Sequence, residues 1–580
     1  MGKRSVSSSW SSSDRSFASS SANTVVGDRG QIAHRDHIAQ SHVLRRHLYE
    51  VRPGVWCVVG NGLSNQTFID APDGVIAIDT GESTEEMRAA IGELRAVCDR
   101  PIVAVMYTHF HYVGGTEAVF ETGAARDLPV WGHAKIAHNR SRVATEVAPT
   151  YSRGLVEQFA VQLPMDGPDG VENVGLGFHY RNPAHAPFTS RFVPPNRTFD
   201  SETAITVAGL EVEVTPAPSD ADDSVTFWFP ALKVAVHNLV WPVLFNVFAI
   251  RGEEYRDPRV LVRGVDHLLT LGAEHLVAAH GPPMSGTAEI ARRVTRYRDA
   301  IQFLWDQTVR HANMGEFAVD IGHNVSLPPE CDDDYLTAER YGVAEHHVRQ
   351  IRNGLFGFFD GDESRLFPLP TADRAARLIA GFGGREAVRA QCVSAIESDD
   401  LRWALELGSW LVHADGAHDV DDDRRLLARA LRLVGQRTTA ANIRSWCLTR
   451  ALVLEGSIDI TRLQRHNFNP RNVLAAPASN SVSILKVLIE PTLVHGVDVR
   501  IAWQFENDRT GLHIRHGIAH PYDGIDADHV IHTTLETWAM ILGSRTTWSE
   551  SVASGAVHVD GSVDDVTRVL AAFDPEGLRQ

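Results

Sequence analysis

Several features that mark other protein classes are missing from this sequence. The 580 residues include only five cysteines, and no two of them form a CxxC pair. An odd, dispersed set argues against a disulfide framework, so we expect reduced thiols and a cytoplasmic location. No apolar run approaches the roughly 18 residues that a membrane span requires. The sequence therefore predicts a protein without stable membrane insertion.

An excess of positive charge is also absent, because the formal net charge is −18 at pH 7. An acidic protein repels polyanions, so we expect no nucleic-acid partner. A small anionic or amphiphilic substrate would need a local cationic pocket. Residues 5–23, SVSSSWSSSDRSFASSSAN, lack the apolar segment of a signal peptide. We predict that residues 1–44 form a disordered, serine-rich extension.

The pattern of the remaining chain changes twice, which predicts three domains. In residues 45–286, short β-rich runs alternate with helical stretches, as in an α/β sandwich of two packed sheets, αββα. Residues 287–455 have helical periodicity almost throughout, which predicts a helical bundle. Residues 456–580 return to strands followed by helices, which predicts an α+β unit.

A histidine pair follows a predicted buried strand, in the stretch YTHFHYVGGT at 107–116. Side chains two residues apart in extended backbone point the same way, so His109 and His111 can bind one ion. Strand ends commonly carry functional loops in layered α/β folds. The spacing therefore makes this loop a candidate metal site.

This loop resembles the signature of the metallo-β-lactamase superfamily, T-H-x-H-x-D-H-x-G-G, although the Asp-His pair is missing after Tyr112. Asp79, in IAIDTG, matches the superfamily aspartate that supports the metal loop, and it could equally cap the following helix. We assign Tyr112 and Asp79 as candidate catalytic residues. The residues that match the signature are Thr108, His109, His111, Gly114 and Gly115.

More of the chain resembles one branch of that superfamily, the linear alkylsulfatases. The matching stretches are FWFPALKVAVHN and LFNVFAIRGEEYRD. The resemblance implies Asp220, His237 and His280 as further metal ligands, with Asp222 or Asp223 as alternatives to Asp220. The substrate contacts that it implies are Asn246, Arg251, Tyr151 and Arg153.

The later regions of the chain are similar to the same family. YGVAEHHVRQIRNGLFGFFDGD, at 341–362, resembles the family's dimerisation domain, which implies a homodimer. Residues 456–580 resemble its sterol-carrier-like domain. The implied fold is thus a metallo-β-lactamase sandwich, a helical dimerisation domain and a sterol-carrier-like α+β domain.

Three functions are compatible with these features. The first is a hydrolase that cleaves a sulfate ester, or a related anionic ester, with metal-activated water while Arg251 anchors the anion. Because the missing Asp-His pair would bind a second metal, we expect one ion, zinc, with iron or manganese as alternatives. The second function is oxidative or lyase chemistry at a single iron or manganese ion. The third is noncatalytic binding of an apolar ligand.

Overall fold

The computed structural model describes residues 21–414 and 421–580, which form two compact units. The larger unit comprises the chain up to Arg140 together with Ser152–Ile460. The smaller unit comprises Ser141–Tyr151 and Thr461–Gln580. All five cysteines are free thiols. Among the described residues, no helix is both long enough and apolar enough to cross a membrane.

The chain begins with a small hairpin and a helix. Strands β1 (Thr24–Val26) and β2 (Ile32–His34) pair in antiparallel fashion, and α1 (Arg35–Val43) follows directly. His34 caps this helix, since its Nδ1 accepts from the Asp36 N–H at 3.1 Å. The prediction of disorder over residues 1–44 is therefore wrong for residues 21–44, whereas residues 1–20 lie outside the described chain.

Hydrogen bonds to distant parts of the chain fix this N-terminal segment. Buried Gln40 donates to the Pro242 carbonyl at 2.8 Å, and Arg444 donates to the Ile32 carbonyl at 2.7 Å. These partners are far away in sequence, so the local composition gave no sign of them. The tertiary contacts outweigh the low hydrophobicity of the segment.

The first large sheet is mixed, with an antiparallel half and a parallel half. Its strands run in sequence order from β3 to β9, antiparallel up to the fourth and parallel beyond it. They are β3 (His47–Arg52), β4 (Val55–Val59), β5 (Gln66–Ala71), β6 (Gly74–Ile78), β7 (Ile102–Met106), β8 (Val130–His133) and β9 (Arg197–Phe199).

The second large sheet has six strands, also in sequence order. Most neighbours are antiparallel, and the fourth and fifth strands are parallel. The strands are β10 (Thr203–Val207), β11 (Leu210–Pro216), β12 (Val225–Phe229), β13 (Val234–His237), β14 (His275–Ala278) and β15 (Met284–Ser285).

One apolar core joins the two sheets face to face. Strands such as β4, β6 and β13 are buried along their whole length and consist mainly of apolar residues, as sheets covered on both faces require. The core includes Val55, Ile76, Ala104, Val212, Phe227 and Val236. The predicted αββα sandwich is confirmed.

Helices cover the sheets and continue beyond them. Those within the sandwich region are α2 (Thr84–Arg95), α3 (Glu117–Glu121), α4 (Ile136–Ala144), α5 (Ala148–Gln158) and α6 (Pro258–Thr270). The helical region then comprises α7 (Thr287–Asn313), α8 (Ala318–Asn324), α9 (Ala344–Phe356), α10 (Thr371–Gly381), α11 (Arg385–Glu397), α12 (Leu401–His413), α13 (Asp421–Arg437) and α14 (Ala441–Leu454).

The helical region shares a core with the sandwich. Trp241 and Phe245, from the loop after β13, pack in one cluster with Tyr297 of α7 and Val348 of α9. Residues 45–286 and 287–455, predicted as separate domains, thus fall within one compact unit. The exact division of the chain into domains stays a prediction.

The smaller unit is an α+β structure with its own core around Trp503 and Trp538. Its five-stranded sheet has the order β18-β17-β16-β19-β20, with β16 (Asp498–Gln504), β17 (Arg509–Arg515), β18 (Ile518–Tyr522), β19 (His529–His532) and β20 (His558–Asp560). Its helices are α15 (Pro470–Leu474), α16 (Ala478–Ser483), α17 (Leu535–Leu542), α18 (Trp548–Ala553), α19 (Val563–Leu570) and α20 (Glu576–Arg579). The sterol-carrier-like assignment stays a prediction.

Residues 141–151, which the sequence placed in the first domain, belong to this smaller unit. Lys486 forms an ion pair with Glu146 at 2.8 Å, and the His466 ring contacts the Thr145 carbonyl at 3.0 Å. These contacts join segments more than 300 positions apart, so local patterning could not have predicted them.

The glycine pair after the histidine loop allows close backbone packing. The Gly114 N–H donates to the Gly81 carbonyl at 2.9 Å, which draws the loop against the segment before α2. A side chain at Gly115 would overlap the carbonyl oxygens of Thr80 and Ser83. The glycines therefore fix the position of the loop that carries His109 and His111.

We expect Gly115→Ala to destabilise the larger unit by about 1–3 kcal/mol, because the backbone would have to move to admit the methyl group. Gly92→Ala is the matched control, since Gly92 lies exposed in α2 with nothing near its added carbon. That change should be neutral or stabilising. Chemical denaturation of both variants measures the difference, and equal midpoints would contradict the close-packing argument.

Candidate metal centre

The histidine loop follows a strand of the first sheet and is hydrogen-bonded to a strand of the second sheet. It leaves β7 at Tyr107, and Phe110–Tyr112 form a single 3-10 turn. The Val225 N–H, at the start of β12, donates to the Thr108 carbonyl at 3.0 Å. This bond places the histidine loop beside the turn between β11 and β12, which carries Asp220.

Three side chains converge at this point: His109, His111 and Asp220. One ligand atom from each lies within 4.8 Å of the others, in the only such group that the described residues contain. The Asp220 carboxylate is 3.6 Å from His109 Nε2 and 3.1 Å from His111 Nδ1. His109 and Asp220 are buried and His111 is nearly so. The predicted ligands from two distant segments thus meet.

Asp79 orients the first of these histidines through Thr108. The Thr108 N–H and hydroxyl both donate to the Asp79 carboxylate, at 2.8 and 2.6 Å. The hydroxyl proton is then committed, so the Thr108 oxygen accepts from His109 Nδ1 at 2.8 Å. His109 Nε2 is left with its lone pair, in the tautomer that a metal requires.

Protonation states favour cation binding. Burial lowers the pKa of His109 to about 3, so the imidazole is neutral at neutral pH. Burial acts to raise the pKa of Asp220, but the neighbouring histidines and Arg256 outweigh it and hold that pKa well below its ordinary range. The centre therefore offers the Asp220 carboxylate and the neutral imidazole of His109.

His280 lies next to the cluster but bonds to Tyr112. Its Nδ1 is 3.0 Å from the Leu63 carbonyl, which can only accept, so Nδ1 carries the proton. Its Nε2 then accepts from the Tyr112 hydroxyl at 3.2 Å. Burial lowers the pKa of His280 to about 4 and raises the pKa of Tyr112. Both groups are neutral at neutral pH, and the phenol keeps its proton.

His237 does not join the group. Its Nδ1 accepts from the backbone N–H groups of Leu239 and Val240, at 3.1 and 3.4 Å. A neutral ring that accepts at Nδ1 carries its proton on Nε2. The next residue, Asn238, instead donates to the Asp220 carboxylate at 2.5 Å. His237 Nε2 is buried without a hydrogen-bond partner, and its role as a metal ligand stays a prediction.

Asp222 and Asp223, the alternatives to Asp220, do not belong to the cluster with the two histidines. Asp222 bonds to Lys135 and to Asn139, both at 2.7 Å. Asp223 is fully buried, and burial together with the charge of Asp220 raises its pKa to about 7. Of the three acidic residues in the turn, Asp220 alone joins the histidines within the described chain.

The predicted anion-binding residues lie in the loop after β13. The Asn246 side chain is buried, and neither its oxygen nor its nitrogen has a hydrogen-bond partner. Arg251 is also buried and forms an ion pair with Glu253 at 2.6 Å. Tyr151 and Arg153 lie on α5, but Tyr151 is grouped with the smaller unit. The roles of all four predicted contacts stay predictions.

Arg256 is a site residue that the sequence analysis missed. This buried guanidinium donates to the Asn246 carbonyl at 2.7 Å and to the Asp220 carbonyl at 3.3 Å. It thus connects the loop after β13 to the turn that carries Asp220. The sequence could have pointed to it, because Arg256 is a second arginine in the stretch AIRGEEYRD, five residues after Arg251.

A divalent ion fits this centre. The Nε2 atoms of His109 and His111 are buried without a hydrogen-bond partner. Unpaired buried nitrogens are costly in an apolar interior, and His109 Nε2 also lies 3.6 Å from the Asp220 carboxylate, which indicates a bound cation. Imidazole and carboxylate ligands suit zinc, iron and manganese.

Comparisons with known proteins agree with this fold and site. Residues 59–237 match the metallo-beta-lactamase superfamily, and residues 318–457 match the alkyl sulfatase dimerisation family. A linear primary-alkylsulfatase from a Pseudomonas species is 32% identical over 528 residues, which cover 88% of this chain and 98% of that protein.

Two further relatives are more distant. An (R)-specific secondary-alkylsulfatase from Pseudomonas is 26% identical, with 91% of this chain and 81% of that protein covered. The solved structure of a stereoselective inverting sec-alkylsulfatase from Pseudomonas superposes with a TM-score of 0.83 at 25% identity, covering 94% of this chain and 88% of the other.

The fold and the histidine–carboxylate centre define a hydrolase of the metallo-β-lactamase superfamily. Within that superfamily, the chain belongs to the alkylsulfatase family. The resemblance and the fold predicted from the sequence are thus confirmed. The alternative of a repurposed oxidative or lyase enzyme receives no support from these relatives.

We expect Asp79→Asn to weaken metal binding about 10- to 100-fold, the usual effect of losing a group that orients a ligand. The amide cannot accept from both Thr108 groups without offering its own N–H, so His109 loses its fixed tautomer. Titration of the apo protein with zinc measures the affinity. Asp222→Asn is the control, because it removes a nearby acidic group outside the cluster, and an equal loss there would contradict the orienting role of Asp79.

Proposed function

We propose that this protein hydrolyses sulfate monoesters of alkyl alcohols in a metal-dependent reaction. The observation that carries the proposal is the position of Arg256, which bridges the turn of the ligand Asp220 and the anion-binding loop. A cation held by His109, His111 and Asp220 would lie on the same side of the sandwich loops as the buried guanidinium groups, and both would attract a sulfate ester. The alkylsulfatase relatives support the same substrate class.

The metal is proposed to be one zinc ion, held by His109, His111 and Asp220. Zinc would supply Lewis acidity toward the sulfate oxygens and activate water as the nucleophile. Support for a single ion comes from Tyr112, whose hydroxyl occupies His280 Nε2. With the Asp-His pair also missing from the loop, few ligands are left for a second ion.

The chain's own residues divide the remaining tasks. Arg251 holds the sulfate oxygens, because a planar guanidinium fits an oxyanion through paired N–H groups. Asn246, with its unpaired buried amide, contributes a further donor. Tyr112 keeps its proton, since burial raises its pKa, and donates it to His280 Nε2, so that it holds the His280 ring beside the centre. Asp79 acts by positioning His109 through Thr108.

The zinc-loaded protein should release inorganic sulfate from dodecyl sulfate and bind one zinc ion per chain. Arg251→Ala should lower kcat/KM about 100-fold, because a buried donor to the reacting anion is lost. Ion chromatography measures the sulfate, elemental analysis measures the zinc, and a chelator should abolish the activity.

Arg259→Ala is the control for general loss of positive charge. Arg259 is exposed and pairs with Asp257 at 2.6 Å on the protein surface. Its replacement should leave kcat/KM within about twofold. Two tightly bound zinc ions per chain would contradict the single-metal centre, and release of no sulfate from any alkyl sulfate would contradict the proposed activity.

We also propose that the protein is a homodimer. The segment 356–369, which we call the aromatic loop, exposes a cluster of large apolar side chains within the match to the alkyl sulfatase dimerisation family. Phe358 and Phe367 are 77% and 89% exposed. A contiguous apolar surface of this kind is typical of a protein interface. The aromatic loop contains Phe356, Phe358, Phe359, Leu366, Phe367 and Leu369.

Replacing Phe358 and Phe367 together by serine should shift the protein from dimer to monomer, because aromatic anchors dominate interface free energies. Light scattering coupled to size exclusion measures the mass. Ile525→Ser, at a residue of the smaller unit that is 62% exposed, is the matched control and should leave the dimer intact. A wild-type monomer at micromolar concentration would contradict the proposal.

A further inference from the structure

Arg251, the proposed sulfate anchor, is paired with a buried acid. Its Nη2 lies 2.6 Å from Glu253 Oε2, and the two side chains are only 6% and 9% exposed. A charge-assisted bond in such a desolvated position is among the stronger polar contacts in a protein. An anion that binds Arg251 therefore enters a pocket that already contains a negative charge.

The Glu253 carboxylate is ionised and acts on the whole pocket. Burial acts to raise its pKa, but the charges of Arg251 and Arg256 outweigh burial and hold the pKa below its ordinary value. Since Arg251 belongs to the proposed anion site and Arg256 donates to the Asp220 carbonyl, Glu253 lies within electrostatic range of both halves of the site. Its charge is weakly screened there because water is excluded.

We infer that Glu253 selects the charge of the anion that the pocket holds: it permits a singly charged sulfate ester and disfavours a doubly charged anion. The physical reason is Coulombic, because repulsion by one carboxylate is twice as large for a dianion as for a monoanion at the same place. The inference rests on the proposed sulfate-ester activity, and it names Glu253 as the residue that sets substrate charge.

The selection has a consequence for turnover. Hydrolysis converts ROSO₃⁻ and water into ROH, SO₄²⁻ and H⁺, because hydrogen sulfate is a strong acid. The product therefore carries one more negative charge than the substrate. Glu253 weakens the binding of inorganic sulfate more than that of the ester, and it equally disfavours phosphate monoesters, which are largely dianionic at neutral pH.

The test compares a dianion with a monoanion that is not hydrolysed. Inorganic sulfate and butanesulfonate are titrated calorimetrically into the zinc-loaded protein and its Glu253→Gln variant. We expect Glu253→Gln to bind sulfate about tenfold more tightly and butanesulfonate about threefold more tightly, since the gain in log affinity scales with ligand charge. Equal gains, or weaker binding of sulfate, would overturn the inference.

Two variants separate this effect from other causes. Glu253→Asp keeps the charge and should retain the wild-type ratio of the two affinities, whereas Glu254→Gln removes a neighbouring exposed charge and should leave both affinities within about twofold. A tenfold increase in the affinity of Glu254→Gln for inorganic sulfate would also overturn the inference. Zinc content is measured for every variant, so that a changed metal affinity is recognised.

The same titrations distinguish this inference from the proposed function. They report anion binding and require no turnover. If the protein cleaves no alkyl sulfate but Glu253→Gln shows the charge-dependent gain, the proposed activity fails and the charge selection stands. If the protein cleaves alkyl sulfates but Glu253→Gln increases the affinities for sulfate and butanesulfonate equally, the proposed activity stands and the charge selection fails.

Discussion

The buried carboxylate of Asp220 is the constraint on which the arrangement of the centre depends. A charge removed from water is tolerated only when other groups compensate for it. Here the compensation comes from imidazole nitrogens on one side and from the buried Arg256 behind the turn. The histidine loop must therefore lie close to the β11–β12 turn, and the glycine pair allows it to do so.

The shortened histidine loop is ordered by a different set of hydrogen bonds. Without the Asp-His pair, the late histidine would have an unpaired Nε2 in a buried position. Tyr112 supplies the missing partner, and its ring contacts both His109 and His280 at centroid distances near 5 Å. Tyr112 thus packs its ring between two histidines, and its hydroxyl provides the hydrogen-bond partner of His280 Nε2.

Alternating strands and the HxH spacing are local signals, and they predicted the sandwich and the pair His109 and His111. Asp220 was implied only by the resemblance to the alkylsulfatases, and the fold shows that it meets the histidines. Residues 24–43 were misjudged, since the bonds that order them come from Pro242 and Arg444, far along the chain. His237 was predicted from the resemblance to the alkylsulfatases, and only the structure shows that its Nδ1 accepts from two backbone N–H groups. Arg256 was overlooked because only the folded loop shows which carbonyls it meets.

Because the whole chain is acidic, binding of an anionic substrate depends on the charges inside the pocket. With a net charge of −18, the protein offers an anionic substrate no long-range attraction, so binding must be favourable after entry. The metal site and the two buried guanidinium groups supply attraction at short range, while Glu253 cancels part of it. Burial of an alkyl chain, at about 0.8 kcal/mol per methylene, can then offset the desolvation of the sulfate group. Because inorganic sulfate has no alkyl chain and a larger charge, the same balance that admits the ester releases the product.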